Sequence, residues 1–384
     1  MSTVRLFAGV PAKNLAVYHR IRFAAHDPAA VIEQVADDGT TRRTLILRDI
    51  EVTRAKQNAS AGAVFAPADF APAGGLSGDR ETATAQAAAE FLRRADVRRV
   101  TADRTLGLIY AEHVRRAGIE VDYDPDLGVL DRRRKDDAEI AHMAEAQRVT
   151  MLVVSRACEM IARAERASGG ALRHDGVVLT SERVKSAIDA LLQQHGYRHD
   201  GAIVAGWPHA ADCHHAGTGP LLADRAVIVD VFPRNAQTLY HGDCTRTVVN
   251  GQADDATRRM HAAVLAAKAA AEATARVDAT GEQVHRAATG VITDHGFKLG
   301  LPGENSPPDF CSMPHGTGHG LGLDVHEPPL LDLGGGELLD GEVLTIEPGL
   351  YGQSHGGVRV EDVYVIRPGG CQKLGELHDG LDWR

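Results

Sequence analysis

Two periodicities of apolar residues divide the chain into predicted strands and helices. Over residues 1–130 short apolar runs alternate with helical repeats, a pattern typical of an α/β domain. The predicted strands are residues 43–50, 97–103 and 119–124, and the predicted helices are residues 82–95 and 108–118. A stretch rich in Gly and Pro, residues 66–79, is expected to form a surface loop.

The rest of the chain carries longer helical repeats. Four helices are predicted, at residues 136–167, 180–196, 255–277 and 280–296. The predicted strands of this part are β-branched runs at residues 201–206, 226–232, 244–251, 342–351 and 357–366. We therefore expect two domains, residues 1–130 and 131–384, and an α+β fold. The stretch DRRRKDD at 131–137 is interpreted as a solvated linker, because acids flank its cations.

The composition of the chain argues against a nucleic-acid partner and against a membrane partner. The formal net charge is −10, from 42 Lys and Arg against 52 Asp and Glu, so a nucleic-acid partner is not expected. No apolar run reaches the length of about 18 residues that a membrane helix needs, and the first residues lack the apolar core of a signal peptide. Five scattered cysteines without a CxxC motif are interpreted as reduced thiols. We therefore expect a cytoplasmic protein with no membrane partner.

Four carboxylates lie inside apolar, β-branched runs: Asp230, Asp243, Glu347 and Glu361. A buried carboxylate is costly unless it is paired or bound to a metal. One such acid is commonly explained by a salt bridge, but the same strands offer only Arg246 and Arg359 as evident partners. A divalent cation compensates several buried carboxylates far better than two arginines can.

The spacing of the acids predicts how they meet. Asp230 and Asp243 are 13 positions apart with a turn-like segment between them, and Glu347 and Glu361 are 14 apart with a second one. Each pair is expected to lie on a hairpin. Four carboxylates and one imidazole suit a pair of divalent ions about 3.5–4 Å apart. Oxygen-rich ligands favour Mn²⁺, and histidine keeps Co²⁺, Zn²⁺ and Fe²⁺ as alternatives.

The imidazole is expected from HGTGHGLGLDVHEPP, residues 315–329, which holds three histidines among four glycines. His315 and His319 have the spacing of two ligands on one helical face, but glycine costs about 1 kcal/mol at each helical position. These histidines must therefore act from a strand or loop. His319 and His326 are an odd number of residues apart, so a straight strand would point them to opposite faces. The glycines are expected to allow a bend or bulge that brings both to one cavity.

Four segments in this order and spacing resemble the pita-bread metallopeptidases, the family of aminopeptidase P, prolidase and methionine aminopeptidase, with creatinase as a relative. They are VDVFPRNAQTLYHGDCTRT (229–247), HGTGHGLGLDVHEPP (315–329), LTIEPGLY (344–351) and GGVRVED (356–362). The resemblance covers roughly residues 131–384. It implies a C-terminal pita-bread domain, and residues 1–130 resemble the smaller N-terminal α/β domain of creatinase and aminopeptidase P in size and element order.

The resemblance also implies roles for individual residues. The implied metal ligands are Asp230, Asp243, His319, Glu347 and Glu361. The implied catalytic residues are Glu347 as proton shuttle, His326 at the tetrahedral oxyanion, His214 at the substrate amide and His315 in the substrate pocket. Arg359 is implied as a partner of the carboxylates. His215 adjoins His214, so the assignment could fall on either residue. The hairpin of Asp230 and Asp243 carries two residues more than the family's usual spacing, and no ligand is lost.

By this resemblance the protein is expected to hydrolyse the Xaa-Pro bond at the N-terminus of peptides by a metal-bridging hydroxide, as a homodimer. Relatives that act as prolidases often have an arginine in a stretch that contains no Arg or Lys here, residues 325–346. Aminopeptidase P-like activity on longer peptides with proline second is therefore ranked first. The alternatives are an Xaa-Pro dipeptidase and a non-catalytic pita-bread binding protein.

Overall fold

The structure of the protein is a computed structural model that describes residues 3–384. The chain forms two compact units, one ending at Arg132 and the other beginning at Arg133. The sequence pattern places this boundary after residue 130. None of the described helices has the length and apolarity needed to cross a bilayer. All five cysteines are free, in agreement with the prediction of reduced thiols.

The first unit contains one mixed six-stranded sheet in the order β4-β3-β2-β1-β5-β6. Its strands are β1 (Thr3–Gly9), β2 (Ala29–Val35), β3 (Thr41–Leu47), β4 (Ala63–Phe65), β5 (Arg99–Ala102) and β6 (Glu120–Tyr123). Its helices are α1 (Leu15–Ile21), α2 (Asp49–Asn58), α3 (Arg80–Arg94) and α4 (Leu108–Arg116). Strands β1, β2 and β3 pair antiparallel, whereas β4, β5 and β6 join in parallel.

Alternation along β1 builds a core on each face of this sheet. Leu6 packs with Leu92 of α3 and Val114 of α4, whereas the next residue, Phe7, packs with Val17 of α1 on the other face. The two-residue period of a strand explains why neighbours in the sequence join opposite cores. The predicted helices and strands of this unit are present, but strand 43–50 ends at Leu47. The expected loop at 66–79 includes a 3₁₀ turn, Pro67–Phe70.

The second unit packs four helices against several small sheets. The helices are α5 (Asp137–Ala162), α6 (Ser181–Gln194), α7 (Asp255–Thr274) and α8 (Gly281–Asp294). The strands that carry or surround the four acids and the His-rich stretch 315–329 are β11 (Ala202–Gly206), β12 (Ala226–Val231), β14 (Cys244–Val249), β16 (Cys311–Met313), β17 (Gly318–Gly320), β18 (Glu327–Leu331), β19 (Val343–Ile346), β20 (Gly349–Gly352), β21 (Gly356–Arg359) and β22 (Asp362–Arg367). The remaining short strands are β7 (Glu165–Arg166), β8 (Leu172–His174), β9 (Val177–Val178), β10 (Tyr197–Arg198), β13 (Arg234–Asn235), β15 (Lys298–Leu299) and β23 (Gly370–Lys373).

The second unit divides into two halves, and each half has its own hydrophobic core. In the first half, α5 and α6 pack on the sheet β11-β12-β14, where Val153, Ile188 and Val229 are buried together. In the second half, α7 and α8 pack on the sheets β18-β17-β19-β22-β23 and β15-β16-β20-β21. The four predicted helices are confirmed, although α5 ends at Ala162 rather than at residue 167. Thr180 and Thr280 cap α6 and α8 through their side chains.

The interpretation of residues 131–137 as a solvated linker is wrong. Lys135 is buried, and its Nζ donates to Glu327 Oε1 over 2.6 Å. Arg133 pairs with the buried Glu342 in the same unit. The sequence predicts a solvated segment because a run of charged residues is usually exposed. The residues that pair with Lys135 and Arg133 lie about 200 positions further along the chain, so the neighbouring sequence does not reveal them. Residues 133–137 are therefore an integral part of the second unit.

Candidate active site

The first pair of acids is brought together by an antiparallel strand pair. Asp230 of β12 lies opposite Thr245 of β14, and Asp243 directly precedes β14. Both carboxylates are buried. The predicted hairpin is therefore present. Between its strands lies the segment 232–243, which includes the short strand β13.

Helix α5 holds the backbone of Asp243. Buried Gln147 donates through Nε2 to the Asp243 carbonyl over 2.8 Å, and its Oε1 accepts from the Asp243 N–H over 2.9 Å. The chain reaches the helix only because residue 242 is glycine. A Cβ there would lie 2.4 Å from Thr150 Oγ1. The two bonds fix the position of Asp243 without using its carboxylate, which remains free for another partner.

The second pair of acids lies where two paired segments pass from one sheet to the other. Strands β19 and β22 pair in one sheet, and β20 and β21 pair in the other. Glu347 falls between β19 and β20, and Glu361 falls between β21 and β22. The predictions of unbroken strands at 342–351 and 357–366 are therefore wrong at these two residues. Because Glu347 and Glu361 lie between strands, their side chains need not follow the alternation of faces along a strand.

The glycines around His319 allow close packing of its strand. Strand β17 lies between β18 and β19, and a Cβ on Gly318 would lie 2.0 Å from the Thr345 carbonyl oxygen. The register with β18 shifts between His319 and Gly320, so the predicted bulge is confirmed. The chain then loops back, and the rings of His319 and His326 meet edge to face with centroids 4.3 Å apart.

Side chains from these distant segments converge. Asp243, His319 and Glu361 each offer a donor atom, and these atoms lie within 4.8 Å of one another. His319 Nε2 lies 3.3 Å from Glu347 Oε1. His319 Nδ1 lies 3.1 Å from the Gly320 carbonyl, which sets the tautomer that leaves Nε2 free towards the acids. An imidazole held in this way is typical of a metal ligand.

The Arg359 guanidinium is linked to two of the carboxylates, to one directly and to the other through a threonine hydroxyl. Arg359 Nη2 donates to Asp230 Oδ2 over 2.6 Å, and Arg359 Nε donates to Thr245 Oγ1. The Thr245 hydroxyl donates to Glu361 Oε2 over 2.7 Å. Desolvation raises the pKa of Asp243 and Glu361 well above their usual range, and the neighbouring carboxylates raise both further. Burial also raises the pKa of Glu347. The group carries more buried negative charge than one arginine compensates.

The adjacent Asp362 shows the opposite arrangement. Its carboxylate pairs with Arg246, Lys268 and Lys373 at 2.6–3.0 Å. Burial alone would raise the pKa of Asp362, but these three cations hold it below its usual value. Arg246 therefore belongs to Asp362, not to the four acids of the cluster. Asp362 is therefore a structural acid whose charge is balanced by neighbouring cations, whereas the four clustered acids need a further cation.

The donor set fits divalent metal ions. Asp230 Oδ1 is buried, and no donor within residues 3–384 reaches it. It lies in the same cavity wall as Asp243, Glu347 and Glu361. Oxygen ligands from carboxylates together with one imidazole are donors that Mn²⁺, Fe²⁺, Co²⁺ and Zn²⁺ accept. The five predicted ligands thus stand together, with Arg359 beside Asp230.

The cluster lies in the wall of a cavity of about 470 Å³. His214, His315 and His326 also line it, together with the apolar side chains of Ile203, Phe232, Val325 and Leu330. His215 instead stacks on His209 with ring centroids 4.2 Å apart, so the cavity residue is His214. Each catalytic histidine expected from the sequence therefore faces the same space as the four clustered acids.

His315 is held by a hydrogen-bonded chain. Arg359 Nη1 donates to the Tyr351 hydroxyl over 2.8 Å, and this hydroxyl lies 3.0 Å from His315 Nε2. His315 Nδ1 lies 2.7 Å from the Gly316 carbonyl, which requires a proton on Nδ1. Both ring nitrogens thus have partners within the protein. The chain ties the orientation of His315 to Arg359.

Three residues that build this site are not predicted from the sequence: Gln147, Thr245 and Tyr351. A signal existed for Gln147, because it is a polar residue in the buried stripe of α5 formed by Met143, Ala146 and Thr150. Thr245 and Tyr351 lie in β-branched or aromatic runs where such residues are ordinary strand formers. Nothing in the sequence separates their supporting roles from plain packing.

Comparison with known proteins supports the fold and the family. Residues 141–368 match metallopeptidase family M24. The probable dipeptidase PepE of Mycobacterium tuberculosis is 32% identical over 170 residues, which cover 44% of this chain and 42% of that protein. The Xaa-Pro dipeptidase of Pyrococcus furiosus is 27% identical over 226 residues, which cover 58% of this chain and 60% of that protein. The chain thus matches about half the length of these relatives.

A solved structure extends the likeness to both units. The Xaa-Pro dipeptidase from Bacillus anthracis superimposes with a TM-score of 0.78 at 20% identity, covering 99% of this chain and 94% of that one. The likeness establishes the fold, which is the expected α+β pita-bread fold. The family match spans more than half of the residues and includes all five residues predicted as ligands. The chain therefore belongs to metallopeptidase family M24, among the pita-bread relatives of the Xaa-Pro peptidases.

Proposed function

We propose that the protein is a metal-dependent Xaa-Pro dipeptidase. The observation that carries the proposal is the convergence of Asp243, His319 and Glu361 within 4.8 Å, beside Asp230 and Glu347, in the wall of one cavity. Relatives named as dipeptidases support the choice of a dipeptide substrate. The sequence alone ranks longer peptides first, and these relatives favour the dipeptide alternative over that ranking.

The proposed centre holds two divalent ions, with Mn²⁺ as the favoured metal. Asp230, Asp243, His319, Glu347 and Glu361 supply up to nine donor atoms, more than one ion of ordinary coordination number needs. When bound, the ions supply Lewis acidity and lower the pKa of a water molecule from 15.7 towards about 7. A purified protein that holds no metal and cannot be reconstituted would instead favour the non-catalytic binding protein.

Glu347 is the proposed proton shuttle. Its carboxylate faces the cavity, and burial raises its pKa, which favours its accepting a proton at Oε and releasing it again. The proton comes from the attacking water and goes to the leaving amide nitrogen of proline. Glu347 keeps its backbone fixed through its N–H, which donates to the Thr317 carbonyl over 2.8 Å.

The histidines are proposed to bind the substrate around the scissile carbonyl. His326 donates to the oxygen that becomes negative, because its ring lines the cavity and packs on His319. His214, which also lines the cavity, contacts the substrate amide. His315 contributes its ring face to the pocket while its nitrogens remain bound to Tyr351 and Gly316. Apolar Ile203 and Phe232 exclude water from the proline ring.

Replacing His326 by alanine is expected to lower kcat by about 10²–10³-fold, the usual cost of removing one donor to a developing oxyanion. The metal content, measured by elemental analysis, should stay that of the wild type, because His326 is not among the proposed ligands. As a control, His209 lies outside the cavity lining, and His209→Ala should leave kcat unchanged. Full turnover by His326→Ala would contradict the oxyanion role.

A second candidate, aminopeptidase P-like cleavage of longer peptides, is favoured by one observation. Among the described residues that line the cavity, Arg359 is the only Lys or Arg, and it is committed to Asp230 and Tyr351. A dipeptide places its C-terminal carboxylate within the cavity, where a cation would be expected to receive it. In a longer peptide the C-terminal carboxylate lies further from the scissile bond, so a cation in the cavity is not needed to bind it.

A peptide panel tests both candidates. The Mn²⁺-loaded protein is assayed with Ala-Pro, Ala-Pro-Ala and the control Ala-Ala. The proposed function predicts cleavage of the proline peptides with a higher kcat/KM for Ala-Pro, and no cleavage of Ala-Ala. A higher kcat/KM for Ala-Pro-Ala supports the aminopeptidase P-like candidate. If neither proline peptide is cleaved by the fully loaded protein, the Xaa-Pro assignment is wrong.

A further inference from the structure

One acid in the cavity wall belongs to none of the groups described above. Asp332 follows β18 and lines the cavity beside Gly316. A Cβ on Gly316 would lie 3.1 Å from Asp332 Oδ2, so the carboxylate lies directly over the glycine of the His-rich stretch. Its side chain is 47% exposed. The carboxylate is therefore within reach of solvent and of any ligand that passes over Gly316.

The protein uses only one oxygen of this carboxylate. Asp332 Oδ1 accepts from the Leu333 N–H over 2.7 Å and lies 3.5 Å from His285 Nε2. No hydrogen bond or ion pair in the described chain engages Oδ2, the oxygen above Gly316. The hydrogen bond to Leu333 orients the carboxylate, and one acceptor oxygen is left for an outside donor.

His285 does not neutralise this charge. Burial lowers the pKa of His285 more than the attraction of Asp332 raises it, so the ring is neutral at neutral pH. Its Nδ1 lies 3.0 Å from Thr317 Oγ1. Arg359, the only Lys or Arg among the described residues that line the cavity, already pairs with Asp230. Asp332 is thus a negative charge without a cationic partner among the lining residues of the described chain.

The surroundings of Asp332 suit a basic side chain. Leu330 and Leu333 on either side of it are 58% and 67% exposed. Lys and Arg pack their alkyl stems on apolar surface and keep the charged end on an acceptor. A carboxylate, in contrast, would meet like charge at the same place. The arrangement favours a ligand that is apolar along its length and positive at its end.

We propose that Asp332 is a specificity-determining residue that binds a cationic group of the peptide substrate. The group is an ammonium or guanidinium, either on a basic side chain or at the peptide N-terminus. The inference rests on the proposed peptidase function and deepens it. If the cation is on a basic side chain, peptides with a basic residue are favoured and those with an acidic residue are disfavoured, whereas an N-terminal ammonium makes Asp332 contribute equally to the binding of every peptide. Asp332 acts in binding, not in bond cleavage, so its effect lies in KM.

The test compares wild type, Asp332→Asn and Asp332→Lys, all loaded with Mn²⁺, on Ala-Pro, Lys-Pro, Glu-Pro, Ala-Pro-Lys and Ala-Pro-Glu. A partly exposed ion pair contributes up to about 1 kcal/mol, which corresponds to a change in KM of about fivefold. We expect Asp332→Asn to raise KM for the lysine peptides about threefold to fivefold at unchanged kcat, and Asp332→Lys to invert the preference. Added salt should reduce both effects.

The panel separates the two sources of the cation. If a basic side chain is the ligand, KM changes only for the lysine and glutamate peptides. If the N-terminal ammonium is the ligand, KM rises equally for every peptide, and salt still reduces the difference between Asp332→Asn and wild type. Asp340→Asn is the matched control, because Asp340 is 44% exposed, pairs with Arg367 and lies outside the cavity lining. This variant should behave as wild type.

Two results would overturn the inference. If the wild type cleaves Ala-Pro while Asp332→Lys leaves KM unchanged for all five peptides, the proposed function stands and the role of Asp332 falls. If Asp340→Asn reproduces the shifts of Asp332→Asn, the effect is one of general surface charge and not of a subsite. Absence of cleavage of every peptide by the loaded wild type overturns the proposed function and this inference together.

Discussion

Replacing Glu361 by glutamine is expected to abolish metal-dependent peptidase activity and, in the same protein, to raise the melting temperature of the metal-free form. The side chain keeps its size and its hydrogen bond from Thr245, but one of four crowded negative charges is removed. Activity should fall more than about 100-fold, since even the loss of an outer partner of a ligand costs about 10–100-fold. Relief of repulsion by about 1 kcal/mol should raise the melting temperature by about 2–4 °C.

The neighbouring residue provides the control for this experiment. Asp362→Asn also removes one carboxylate, but that carboxylate pairs with three cations. The metal-free melting temperature should therefore fall, which is the opposite sign for the same chemical change one residue along the chain. Asp243→Asn should behave like Glu361→Gln. The measurement is thermal unfolding in chelator at one mildly alkaline pH, with metal content determined separately. Equal destabilisation by all three changes would contradict the metal centre.

Replacing Lys135 by methionine is expected to cost about 3–5 kcal/mol of unfolding free energy, because it removes a buried cation that pairs with the buried carboxylate of Glu327. The side chains of Lys135 and Glu327 are 1% and 3% exposed. Glu327 begins β18 directly after His326, so the loss should also lower turnover. The measurement is the shift of the urea midpoint of the full chain, converted with the unfolding slope.

Two variants show whether burial is the cause. The pair Glu145–Arg148 lies on exposed turns of α5, with side chains more than half exposed, and Arg148→Ala should change stability by less than about 1 kcal/mol. The double change Lys135→Met with Glu327→Met should recover most of the stability lost in the single variant, because no charge is left buried. A loss below about 1 kcal/mol in Lys135→Met would mean that water reaches Glu327.

The acids of the proposed metal centre can be predicted from the sequence because their signal is local. Asp230 in AVIVDVF and Glu361 in VRVEDVYVI are charges inside runs that are otherwise buried, and the cost of such burial can be judged from a few neighbours. The pattern did not reveal that both glutamates interrupt their strands. The interruption arises because β19 and β20 pair in different sheets, and sheet membership depends on partners far away in the chain.

The residues that sequence analysis missed or misjudged act through contacts of long range. Gln147 reaches Asp243 across 96 positions, and Lys135 reaches Glu327 across 192. Lys135 was assigned to a solvated linker because its own neighbours are charged. In the first unit, β1 and β2 were not predicted, although Leu6 and Ile32 are wholly buried. The strand β3 was extended into α2 because Ile50 continues the apolar run, yet this residue is 61% exposed on the helix.

The ligands of the proposed centre come from both halves of the second unit. Asp230 and Asp243 lie on or next to strands of the sheet that packs on α5 and α6, whereas His319, Glu347 and Glu361 lie on or next to strands of the sheets that pack on α7 and α8. A bound ion would join segments 131 positions apart, from residue 230 to residue 361, and so act as a reversible cross-link that closes a long loop. Loading would then make the two halves lose their structure in a single cooperative step, and chelation would let the weaker half unravel first.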